Sequence, residues 1–161
     1  MTPMPSFDMA DSRGEPERSP AMMPQPFTIK RVGQRPLRFE GSELCMAMSF
    51  VPTCPSWYEI NIYRTTAQSF VAAVRLFFVA EGERDRVRAW DCESFDEVLD
   101  TLEAYDAGRD VRVDAFPDDP GMTPGDLAAE GFMLRAKVEG ARAHYRSLLG
   151  EILHELEQAA E

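Results

Sequence analysis

A chain of 161 residues, 44% of them hydrophobic and with a net charge of −11, has the size and apolar content of one modest domain. The charge argues against a general nucleic-acid binder, which gains its affinity by neutralising phosphates with Lys and Arg, and equally against a protein that adheres to an anionic membrane surface. Three cysteines, Cys45, Cys54 and Cys92, contain no C-x-x-C pair and fit neither a disulfide framework nor a zinc spacing, so a reducing, cytoplasmic compartment is expected and no metal or cofactor is.

Residues 1–35 hold six of the twelve prolines and show no apolar periodicity, which marks a disordered Pro/Met-rich leader with too little apolar surface to offset the entropy of ordering it. The start of the chain has no basic stretch followed by an apolar one, so no secretory signal is expected. Its one apolar cluster, Pro26 to Ile29, is a candidate docking segment. Arginine supplies fifteen of the seventeen positive charges, a bias that hints at a GC-rich bacterial genome.

The pattern changes to period two from Leu37. Leu44, Met46, Met48 and Phe50 alternate with small residues, which puts four large apolar side chains on one face of a strand ended by Pro52 and Pro55. A second strand, residues 57–64, places Tyr58, Ile60 and Ile62 on one side and Trp57, Glu59, Asn61 and Tyr63 on the other. The third, Phe70 to Val79, is apolar on both faces and therefore central. The fourth, Asp85 to Cys92, follows the turn-like Glu81-Gly82-Glu83 as its hairpin partner.

Ser94-Phe95-Asp96-Glu97 then matches a capping box: the serine oxygen accepts from the Glu97 N–H, and the glutamate reaches back toward the serine N–H. A helix over 94–105 is predicted, with Phe95, Val98, Leu99 and Leu102 inward and Asp96, Asp100 and Glu103 outward. Val111, Val113 and Ala115 alternate as a candidate edge strand, closing an antiparallel sheet-plus-helix unit over residues 36–116 before the loop at 117–121.

Thr123, Pro124 and Asp126 mark the start of a long C-terminal helix over 123–160, with a break expected near Gly131. Leu127, Leu134, Val138, Ala141, Tyr145, Leu148 and Ile152 recur at steps of three and four with Gly131 in the gap. Leu134, Val138, Ala141, Tyr145, Leu148 and Ile152 therefore form a seam that packs on the sheet or joins two copies in a homodimer. The fold class is α+β: a small antiparallel meander of four to five strands packed by a capped helix and a long C-terminal one.

Chemistry is sparse. His144 and His154 are ten residues apart on one helix, about 15 Å of rise, too far to share a metal. Cys92, at the end of an arginine-rich strand, is either a thiol of lowered pKa or a buried apolar side chain. No glycine-rich loop follows a strand and no nucleophile elbow is present. Tyr58, Tyr63, Arg64, Arg88 and Trp90 lie on adjacent strands as candidate lining of a sheet cavity, for a small-molecule binder or an enzyme.

The charge is unevenly spread. Residues 91–119 carry eleven acids and two bases, whereas residues 36–90 are balanced. Asp96, Asp100, Glu103, Asp106, Asp110, Asp114, Asp118 and Asp119 are thus the candidate partner-binding residues of a non-enzymatic accessory protein whose protein partner has a basic patch. A DNA mimic inhibiting a nucleic-acid enzyme is the sharper variant. Neither reading requires direct nucleic-acid binding or a membrane.

Overall fold

The computed structural model describes residues 23–113 and 120–160. Five strands form one antiparallel sheet in the order β1-β2-β3-β4-β5: β1 Gln25–Ile29, β2 Leu37–Met48, β3 Ser56–Thr65, β4 Phe70–Phe78 and β5 Arg86–Cys92. Helix α1, Phe95–Ala104, a 3-10 turn at Ala107–Asp110 and helix α2, Pro124–Ala160, follow.

β4 is central and buried on both faces, as its apolar doublets predict, with Val71, Ala72, Ala73 and Val74 all at 1% exposure or less. One face of the sheet, carrying Tyr58, Ile60, Ile62, Val74, Leu76 and Cys92, packs beneath Val98 and Leu102 of α1 and Tyr145, Leu148, Leu149 and Ile152 of α2. The other face has a smaller core of Ile29, Leu37, Tyr63, Val71, Ala73 and Ala89.

That second core exists because the sheet curls. The Val32 N–H just past β1 donates to the Val87 carbonyl of β5 at 3.2 Å, joining the two ends of the strand order. Phe27 stacks on Phe39, with ring centroids 5.3 Å apart, and tilts against Tyr63 at 4.8 Å. Gln25–Ile29, expected within the disordered leader, is therefore the edge strand β1. Two apolar residues flanked by prolines are too few to show periodicity, and an edge strand tolerates Pro26 because one side of it needs no ladder donor.

The pairing of β2 with β3 slips between Glu43 and Cys45, a β-bulge that exchanges the faces of the strand. Beyond it, Cys45 and Ala47 point to the helix side, opposite Ile62 and Ile60, while Met46 and Met48 lie opposite Asn61 and Glu59 on the other face. The alternation of Leu44, Met46, Met48 and Phe50 is real, and these side chains are 46–50% exposed. Gly41 permits the close approach before the bulge: a Cβ there would sit 2.1 Å from the Arg64 carbonyl oxygen.

α1 begins at the predicted cap, Glu97 N–H donating to Ser94 Oγ at 3.1 Å. The Glu97 carboxylate reaches one residue further back than the capping box predicts and accepts from the Glu93 N–H. α2 runs unbroken through Gly131 for 37 residues, about 55 Å. The predicted edge strand does not extend into Val111–Val113, and its remaining residue, Ala115, lies outside the described residues. None of the described helices is long and apolar enough to cross a membrane.

Candidate interaction surface

α1 buries Val98 and Leu102 completely against the sheet, which fixes the direction of every other side chain on it. Asp96, Asp100 and Glu103 are turned to solvent, Glu93 and Glu97 are exposed near the helix start, and Asp91 is exposed on the opposite face of β5. No basic residue occurs between Asp91 and Gly108, and none of these six acids forms an ion pair among the described residues. Asp96 and Glu97 also complement the partial positive charge of the helix start.

The other acids of the segment have different roles. Asp106 accepts from the Gly108 N–H at 2.9 Å, an Asx turn that starts the 3-10 turn, and is gripped by the Arg142 guanidinium. These contacts hold its carboxyl down to about 2, the hydrogen bonds from Arg142 being the largest cause. Asp110, expected on the partner surface, is 5% exposed and belongs to the core. Its Oδ2 accepts from the Tyr58 hydroxyl at 2.8 Å and from the Tyr105 hydroxyl, and its carbonyl accepts from Arg86 at 3.0 Å. Its Oδ1 has no hydrogen-bond donor, and the nearest cation, Arg88 Nη2, is 3.9 Å away. Asp110 thus ties the 3-10 turn to β3, β5 and the end of α1. Asp114, Asp118 and Asp119 lie outside the described residues.

The cup expected from Tyr58, Tyr63, Arg64, Arg88 and Trp90 does not form. Tyr58, Arg88 and Trp90 do share the helix side of the sheet, but Tyr58 is buried under α2 and Trp90 packs edge-on against Tyr105. Tyr63 faces the opposite core, and Arg64 is exposed and hydrogen-bonded to Gln68. The period-two pattern assigned faces correctly within β3, yet the space between sheet and helices is filled by Tyr105 and Tyr145, which no strand pattern could place there. Burial, followed by the proximity of Asp110, raises the Tyr58 hydroxyl far above its ordinary value, and burial also raises Tyr105 and Tyr145.

Of the C-terminal seam, Tyr145, Leu148 and Ile152 are buried on the chain's own sheet, while Ala141 is half-buried beside them. Val138 lies over Gly108 of the 3-10 turn, and Leu134 is half-buried. The seam is therefore an intramolecular packing surface over most of its length.

Grooves are shallow. One of about 310 Å³ lies between Met48, Phe50 and Val51 and the α2 residues His144, Leu148 and Glu151, and another of about 550 Å³ is bordered by Arg64, one of the residues expected to line a pocket, with Glu43, Thr66 and Gln68. No group of three or more metal-ligating side chains converges among the described residues. Cys92 is buried, and burial pushes its thiol up, the opposite of activation. The exposed strip of Leu44, Met46, Met48, Phe50 and Val51, beside the stacked pair Trp57 and Phe77, is a second surface, and it holds the four large apolar residues that the sequence places on one strand face.

The chain matches no protein-family model, no curated protein and no solved structure.

Proposed function

We propose that the protein is a non-enzymatic accessory protein that binds a protein partner through the acidic outer face of α1, the partner presenting a basic patch. The observation that carries this reading is the division of the acids. Asp106 and Asp110 are consumed by internal contacts, whereas Glu93, Asp96, Asp100 and Glu103 are exposed and form no ion pair among the described residues. Localised like charge speeds encounter and rejects wrong partners more than it adds affinity.

The spacing favours a protein over a mimicked duplex. Acids three and four residues apart on a helix fall one per about 4.5 to 6 Å of axis, against one phosphate per about 1.7 Å in DNA.

Affinity capture with the full chain, followed by rate measurements on the captured partner, tests the proposal. Association is expected to slow by about tenfold or more as ionic strength rises to about 1 M, where charges are screened beyond about 3 Å. The variant Asp96→Asn, Asp100→Asn, Glu103→Gln should show the same loss at low salt. An association rate indifferent to both salt and neutralisation would overturn the acidic-face reading.

A further inference from the structure

The first third of α2 stands apart from the rest of the molecule. The helix packs on the 3-10 turn, β2 and β3 through its later residues, and from Pro124 to Lys137 every residue except Leu134 is exposed. Phe132 at 73% and Met133 at 55% are among the most exposed large apolar side chains of the described residues. A helix of this kind is normally supported by packing of an apolar face, because short helices are marginal in water by themselves.

The residues around Phe132 and Met133 form a palindrome. Gly125, Ala129, Phe132, Met133, Ala136 and Gly140 follow one another at steps of four, three, one, three and four. At about 100° per residue all six fall on one side of the helix. All six are exposed, and a Cβ built on Gly140 would meet nothing, while one on Gly125 would meet only Thr123 Oγ1 at 3.7 Å. The chain's own fold therefore gives no reason for glycine, the poorest ordinary helix former, at either position. A pattern that reads the same in both directions is what two antiparallel copies need, because a two-fold axis brings residue i of one onto residue j of the other and j onto i.

We propose that this face docks a second copy of the same chain, antiparallel, with the two-fold axis passing between Phe132 and Met133. In that register Phe132 packs on Met133 of the second copy, Ala129 lies over its Ala136, and Gly125 over its Gly140. The large pair fills the centre, and the small residues on both sides let the backbones approach. The charges on the flank agree. Asp126, Glu130 and Lys137 share one side of the helix, and the symmetry sets Lys137 of the second copy level with Ala128, between Asp126 and Glu130. The arrangement is repeated on the other half of the contact, so each copy gives one lysine and receives one. This contact is separate from the acidic face of α1 and does not depend on it.

Sedimentation equilibrium of the full chain tests the proposal. The expected mass is twice the 18.1 kDa of one chain. Phe132→Glu with Met133→Glu should restore the monomer mass while leaving the far-ultraviolet circular dichroism of the sheet in place, since both side chains are already exposed in a single copy. Gly140→Leu should separate the copies as well. Lys137→Glu should weaken association by about tenfold or more, and Glu130→Lys, which leaves the Thr123–Asp126 cap in place, should restore it in that background. A wild-type chain at monomer mass overturns the proposal, and so does a dimer that survives both the Phe132/Met133 and the Gly140 substitutions.

Discussion

Arg142 of α2 holds Asp106 with two parallel hydrogen bonds, Nε to Oδ1 at 2.8 Å and Nη2 to Oδ2 at 3.0 Å. The bidentate geometry connects the loop after α1 to the middle of the long helix, where Val138 and Arg142 lie over Gly108. Four consequences of this and related contacts can be measured.

The first concerns pH. Asp106 titrates at about 2 in the folded chain against an ordinary value of 3.8, so the folded state binds its proton less readily than the unfolded chain does. Its stabilising contribution is therefore present above 3.8 and is lost as pH falls through about 2. Asp106→Asn should lower the unfolding temperature at neutral pH, and the gap to wild type should close near pH 2. A gap that stays constant across that range would show that Arg142 contributes through packing instead.

The second concerns the tyrosines. All four, Tyr58, Tyr63, Tyr105 and Tyr145, have hydroxyls raised above 10, with burial the first cause in each. The folded state holds their protons more tightly than the unfolded chain, so the stability they give is complete below pH 10 and is lost as pH rises beyond it. Phenolate absorbance should accordingly appear together with loss of the fold. In the same cluster, Tyr58→Phe removes a donor from the buried Asp110 and should cost about 1–3 kcal/mol in urea unfolding.

A third test contrasts two glycines. Gly41→Ala forces a methyl group against the Arg64 carbonyl on the neighbouring strand and should destabilise by about 1–3 kcal/mol. Gly131→Ala meets no atom within 4 Å on an exposed helical turn and should be neutral or stabilising by up to about 1 kcal/mol. A Gly41→Ala denaturant midpoint at or above that of the wild type would contradict the close approach at β2 and β3.

The bulge in β2 supplies the last. Met48 lies on the exposed side and Ala47 against the main core, one residue apart. Met48→Lys should change stability by no more than about 0.5 kcal/mol, whereas Ala47→Lys should cost about 2 kcal/mol or more. Equal losses would mean that the strand keeps one face throughout.

Several elements were legible in the sequence because their determinants are local. The capping box of Ser94 and Glu97 placed the start of α1, the prolines ended β2, the two-sided apolar run of β4 marked the central strand, and Thr123-Pro124 placed the start of α2. Each of these rests on neighbours within about four residues, where backbone sterics and hydrogen bonding operate without help from the rest of the chain.

The candidate surface was only half legible. A run of acids is visible in composition, but whether a carboxylate faces water or the core depends on elements far away in sequence. Asp106 is paired by Arg142, thirty-six residues on, and Asp110 by Tyr58, fifty-two residues back. The same is true of Gln25–Ile29, which becomes a strand only because Phe39 and Tyr63 offer rings to Phe27, and of Leu44 to Phe50, whose face was set by one extra residue opposite β3. The sequence by itself determined β2 to β5, the starts of both helices and that α1 opens an acidic stretch. Tertiary structure alone decided which of those acids remain free, because burial and pairing are properties of the space between elements and not of any one of them.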